Sequence, residues 1–116
     1  MHLILGGAYQ GKLSWAVETY HLPQESLCDL SAGFVPGKRC YYHLEAFTRA
    51  SAAPVSPELF PEDAIIISRE IGSGIVPMDA GERAWRERHG ALLQKLARSS
   101  RQVTRIFCSL PQPLKP

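Results

Sequence analysis

A short apolar run, Leu3-Ile4-Leu5, leads directly into Gly6-Gly7-Ala8-Tyr9-Gln10-Gly11-Lys12, and this juncture restricts the chain to few folds. Gly, four residues, then Gly-Lys is the spacing of a phosphate-binding loop: glycines let backbone N–H groups converge on phosphate oxygens, and the lysine adds a point charge. Such a loop lies between a buried strand and a helix whose N-terminus reinforces the anion site. Both flanks are present, because Leu3-Ile4-Leu5 suits a buried parallel strand and Leu13, Ala16, Val17 and Tyr20 recur at helical spacing. The eighth position departs from the pattern. Ser or Thr there would supply a hydroxyl to the Mg²⁺ that travels with a nucleotide, and this chain has Leu13. Ser14 lies about 100° further round the helix and is expected to turn away from the phosphates. Gly6, Gly7, Ala8, Tyr9, Gln10, Gly11, Lys12 and Leu13 are the candidate nucleotide-binding residues, with Lys12 the candidate catalytic cation.

Further along, strand and helix patterns alternate. Ser26–Leu30 reads as a short strand carrying Asp29 near its end, followed by a loop over 31–38 with Gly33, Pro36 and Gly37. Cys40-Tyr41-Tyr42 reads as a brief strand and His43 through about Ala50 as a helix, although this stretch is ambiguous by pattern alone. Residues 51–63 contain Pro54, Pro57 and Pro61 and allow little beyond one helical turn at Pro57–Phe60. Ala64–Ser68 is β-branched without alternation, as in a strand buried on both faces. The loop from Arg69 to Pro77 precedes a long amphipathic helix over 79–98, with Ala84, Trp85, Leu92, Leu93, Leu96 and Ala97 as its expected buried positions. Val103–Cys108 is a last strand before a proline-rich tail. The pattern predicts an α/β chain of the P-loop NTPase kind, a single domain over 1–116 with a small, mostly parallel sheet flanked by helices in three layers. Ligands of such sheets sit at the carboxyl ends of strands, where the Gly6 loop, Asp29 and Glu70 are expected.

Composition narrows the partners. A net charge of +2 with dispersed Lys and Arg offers no nucleic-acid footprint, and no apolar run approaches membrane-spanning length. The opening residues lack the basic region of a secretory signal. Cys28, Cys40 and Cys108 are odd in number and form no C-x-x-C pair, which reads as neither a zinc site nor a disulfide framework but as three small buried residues in a reducing cytoplasm.

Two segments carry a resemblance. Leu5-Gly6-Gly7-Ala8-Tyr9-Gln10-Gly11-Lys12-Leu13 is similar to the strand followed by Gly-Gly-Ala-Arg-Ser-Gly-Lys-Ser of the bifunctional adenosylcobinamide kinase / adenosylcobinamide-phosphate guanylyltransferase family of cobalamin biosynthesis. Glu70-Ile71-Gly72-Ser73-Gly74-Ile75-Val76-Pro77 resembles that family's Glu-Val-Gly-x-Gly-Ile-Val-Pro, and Arg83, Trp85-Arg86-Glu87, Gly90 and Leu93-Gln94 continue its pattern. The resemblance covers roughly residues 1–20 and 62–115. It implies a nucleotide substrate, GTP or ATP with Mg²⁺, adenosylcobinamide as second partner, and self-association, to which Phe34, Phe47 and Phe60 are expected to contribute exposed apolar surface. It also implies roles for Lys12 and Glu70 in catalysis, and for Asp29 and Glu70 in holding metal or ribose.

Three departures fall in the chemical parts. Leu13 replaces the metal-binding hydroxyl, Tyr9-Gln10 replace Arg-Ser and remove one positive charge, and the region from Asp29 to Asp63 is short and has no match to the segment bearing the family's guanylylated histidine. His43 is the only histidine there and reads as structural, at the start of an amphipathic helix. The expectation is a nucleotide-binding protein with weak kinase or nucleotidyltransferase activity, the alternative being an inactive homologue acting as a nucleotide- or corrinoid-binding module. A generic nucleotide kinase ranks below both, because no arginine-rich lid is present.

Overall fold

The computed structural model describes residues 1–7, 10–51, 53–70 and 79–115. Among these, strands β1 (His2–Gly6), β2 (Leu27–Asp29), β3 (Cys40–Tyr42), β4 (Ile65–Arg69), β5 (Gln102–Phe107) and β6 (Leu110–Lys115) form one sheet in the order β2-β3-β4-β1-β5-β6. The first five are parallel and β6 runs antiparallel to β5. β1 occupies an interior position, with Leu3 opposite Ile66 on one side and Val103 on the other. Pleating sorts its side chains. Leu3, Tyr41, Ile66 and Val103 join one core under helices α2 (Leu44–Ala50) and α3 (Ala80–Ser99). Ile4, Cys40, Ile65, Ile67 and Ile106 join the other, under α1 (Lys12–Tyr20). The chain is thus an α/β fold of three layers, with a mostly parallel sheet between helices.

The ambiguous stretch resolves as a strand followed by a helix, and residues Pro57–Leu59 form a single 3₁₀ turn. Three expectations change. The buried stripe of α3 is Trp85, His89, Leu92 and Leu96, while Ala84 is exposed; the fully buried histidine takes a place that a purely apolar pattern assigns elsewhere. Phe34, Phe47 and Phe60 are core residues, not exposed surface: Phe34 stacks on Tyr41, Phe60 packs edge-on to both, and Phe47 lies against the same cluster. Cys28 and Cys40 are buried, whereas Cys108, between β5 and β6, is exposed. The large apolar side chains left exposed include Phe107, Leu110 and Leu114 on the β5–β6 hairpin.

The proline-rich tail is also a strand. Pro111 lies opposite Ile106 and Pro113 opposite Thr104 of β5, and proline, lacking an N–H, is tolerated where a strand forms the sheet edge. Lys115 Nζ then donates to the carbonyls of Ala97 and Arg98 at 3.1 Å each, capping the C-terminus of α3.

Candidate nucleotide site at the strand ends

The carboxyl ends of β1 to β4 form one rim, and the loop after β1 is built into it by contacts distant in sequence. Gly11 takes φ +84, a left-handed conformation, and a Cβ there would lie 2.7 Å from Ser109 Oγ. At Gly6 a Cβ would lie 2.7 Å from the carbonyl oxygen of Ile106. The loop is held from above by the turn between β5 and β6: Cys108 N donates to Gln10 Oε1 at 2.6 Å and Ser109 N donates to Gln10 O at 3.0 Å. That turn has positive φ at both Cys108 and Ser109, as a tight two-residue hairpin of this twist requires. Gln10, which departs from the resembling motif, therefore has a structural task of its own.

Lys12, the first residue of α1, folds back so that Nζ donates to Gly7 O at 2.7 Å. Burial lowers its pKa; Glu45 and Glu70 oppose that shift, whereas Arg69 adds to it. A cavity of about 670 Å³ opens beside it. Gln10 through Ser14 form one wall, Tyr42, His43, Glu45, Ala46 and Arg49 another, and Ile67, Arg69 and Trp85 much of the rest. Ser14, expected to turn away, borders this cavity next to Leu13. Ala8 and Tyr9 lie outside the described residues, as does the Ile71–Pro77 part of the second motif.

The candidate carboxylates separate into different roles. Glu70 follows β4, its amide donates to Gly6 O at 3.0 Å, and its Oε1 lies 3.1 Å from Arg105 Nε on β5. Asp29 ends β2 and accepts from Ser31 N at 3.0 Å and Ser31 Oγ at 2.6 Å; its Oδ1 also lies 2.8 Å from His43 Nδ1. Burial pushes the Asp29 carboxyl up, but hydrogen bonds from Ser31 and His43 prevail and hold it below its ordinary value. With β3 between their strands, Asp29 and Glu70 are separated by about 10 Å across the sheet, and the register sets Glu70 three residues further along than the level of Asp29.

Several cavity residues escape sequence reasoning. His43 caps α2 in a left-handed conformation, φ 61, and is half exposed on the cavity wall with Asp29 behind it. Glu45, in the first turn of α2, accepts from Arg69 N at 2.8 Å. Arg49 lies 3.9 Å over the Trp85 ring and forms a two-bond pair with Glu82 at 2.6 and 3.0 Å. Arg83 stays exposed, whereas Arg86 is half buried beside Glu45, Arg69 and Glu82, with an Nε that has no partner among the described residues. Only the fold links these groups: His43, Glu45 and Arg49 come from the start and body of α2, Arg83 and Arg86 from α3, and no local motif joins them.

Behind the cavity lies a buried relay. His89 Nδ1 is 2.7 Å from Thr48 Oγ1, His89 Nε2 is 2.9 Å from Ser68 Oγ, and Trp85 Nε1 donates to Thr48 Oγ1 at 3.0 Å. One proton assignment satisfies the whole chain of groups: Trp85 donates to Thr48, Thr48 to His89 Nδ1, His89 Nε2–H to Ser68, and Ser68 to Arg69 O at 3.1 Å. It requires a neutral imidazole, and burial brings the His89 pKa down to about 4. The relay ties α2, α3 and β4 together beneath the residues that line the cavity.

No helix among the described residues is long and apolar enough to cross a membrane. No curated protein matches the chain. Residues 43–114 match the family described as cobinamide kinase / cobinamide phosphate guanyltransferase, a match that starts at His43 and runs to Leu114 in β6. It covers well over half of the sequence, and the phosphate-loop resemblance at 5–13 lies outside it and adds to it independently. The chain belongs to the cobinamide kinase / cobinamide phosphate guanyltransferase family.

Proposed function

We propose that this member binds a nucleoside triphosphate by its phosphates at the Gly6–Leu13 loop and acts as a weak kinase or nucleotidyltransferase toward a cobinamide substrate. One observation carries the reading: Lys12 Nζ rests on the Gly7 carbonyl at 2.7 Å, poised over the loop beside a cavity of about 670 Å³ at the strand ends. Main-chain amides of the loop hold the phosphates, Lys12 neutralises them, and the cavity between α1 and α2 receives the second substrate. Glu70, just beyond β4 and in an ion pair with Arg105 that lacks hydrogen-bond geometry, lies near Lys12 and is the candidate catalytic carboxylate. Asp29 serves by orienting His43 through Nδ1.

The Mg²⁺ that accompanies nucleotides in such chemistry would supply charge neutralisation across the phosphates. The residues here do not fit it. Leu13 occupies the ligand position, Asp29 and Glu70 are two strands apart, and each already engages a basic partner. Leu13 equally favours a second reading, an inactive homologue that retains ligand binding. Titration calorimetry with GTP and ATP tests binding, and micromolar affinity lost in Lys12→Ala is the expected result. Turnover of labelled GTP with adenosylcobinamide then separates the two readings. Because Asp29 leaves His43 Nε2 as the basic nitrogen, an acid-labile label on His43 is the signature of nucleotidyl transfer, and absence of both label and turnover favours the binding module.

Self-association belongs to the same proposal. The surface offered is the apolar strip of Phe107, Leu110 and Leu114.

A further inference from the structure

We infer that Arg69 supplies the positive charge of the metal ion that Leu13 leaves without an anchor, so that the site grips a polyphosphate without a divalent cation. The inference rests on the loop being the phosphate site and deepens that reading. Three cations, Lys12, Arg49 and Arg69, line the cavity, and among its lining residues Glu45 is the one carboxylate. The charge of Arg49 is already matched by Glu82, and Glu45 accepts from the Arg69 backbone amide. The Arg69 guanidinium forms no ion pair among the described residues.

Register brings this side chain to the right place. Arg69 is paired with Gly6, the residue at which β1 becomes the loop, so its charge enters the rim one strand from Lys12. Burial is the main cause that lowers the Lys12 pKa; Arg69 is close enough to add to it, while Glu45 and Glu70 offset part of the shift. Like charges held together beside an open cavity are relieved by an anion. A guanidinium can meet phosphate oxygens with two parallel N–H bonds, delivering the positive charge a metal would otherwise bring. Leu13 removes the metal's hydroxyl anchor and Tyr9-Gln10 leave the loop without an arginine, and Arg69 returns that charge from the neighbouring strand.

Inorganic tripolyphosphate and GTP are titrated into the intact protein by calorimetry, once in EDTA and once in excess Mg²⁺, alongside Arg69→Gln and Lys12→Ala. The wild-type affinity is expected to change less than about threefold between the two conditions. Arg69→Gln, whose side chain is exposed and whose backbone bond to Glu45 survives, is expected to keep the wild-type melting temperature and to lose about tenfold or more in affinity in EDTA, the weight of a charge-assisted phosphate contact. Binding that Mg²⁺ tightens tenfold, or that Arg69→Gln leaves untouched, overturns this inference while leaving the loop as the phosphate site. Failure of either probe to bind in any condition overturns the loop reading and this inference together.

Discussion

Gly6 and Gly11 support the loop by what they lack. A methyl group on Gly6 would meet the Ile106 carbonyl oxygen at 2.7 Å, and that oxygen belongs to a paired strand that cannot swing aside. Gly6→Ala is therefore expected to cost about 2 kcal/mol or more, read as a lowered urea midpoint. Gly11→Ala meets the Ser109 hydroxyl and must also hold φ +84, so a loss of about 1–2 kcal/mol is expected, partly recovered in a Gly11→Ala/Ser109→Gly double variant. His89 gives the residue scale its pH dependence. Its folded pKa, about 4, lies below the ordinary 6.5, so the unfolded chain binds the proton more readily. The stability it secures is fully present above pH 6.5 and is lost as pH falls from 6.5 toward 4, by on the order of 3 kcal/mol at most. His2, also buried and lowered, adds in the same direction. His89→Gln should flatten the slope of unfolding free energy against pH in that window, leaving the His2 part; an unchanged slope would mean that His89 does not titrate on unfolding.

At the scale of elements, the loop after β1 and the β5–β6 turn form one unit. Gln10→Ala removes the side-chain bond to the Cys108 amide, at a stability cost of about 1 kcal/mol. The expected mark is faster hydrogen exchange at the Cys108 amide together with weaker triphosphate binding, because the amides of the loop are then less well ordered before the ligand arrives. The same elements show what a linear reading can reach. β1 and β4 are legible as short apolar runs without alternation, α1 and α3 by helical spacing of apolar residues, and Gly-Lys spacing marks the proposed phosphate loop without help from the rest of the chain. β6 is hidden because prolines at 111 and 113 argue against a strand, and only its position on the rim of the sheet makes them acceptable. His89 is hidden by its type, although its spacing of four from Trp85 and three to Leu92 places it on the apolar stripe. Glu45, Arg49 and Arg69 come from α2 and β4, and no sequence distance announces that they share one cavity. Asp29 and Glu70 are found where strand ends predict them, but their partners, His43 and Arg105, emerge only with the folded backbone.

For the whole molecule, the balance of surface and sheet decides how copies can meet. Pro111 and Pro113 deprive the β6 margin of the N–H groups that another strand would need, which disfavours growth of the sheet edge to edge. Association is instead expected over side chains, through Phe107, Leu110 and Leu114. Leu110→Lys/Leu114→Lys should sediment as a smaller species than wild type with little change in melting temperature, since both side chains are already more than half exposed; identical sedimentation would remove that surface from consideration. The strand order has a consequence for synthesis. β1 lies between β4 and β5, partners that follow it by about 60 and 100 residues. At translation rates of about 5–20 residues per second, this apolar strand of the nascent polypeptide waits some seconds with both flanks bare, an interval in which it is open to non-native pairing.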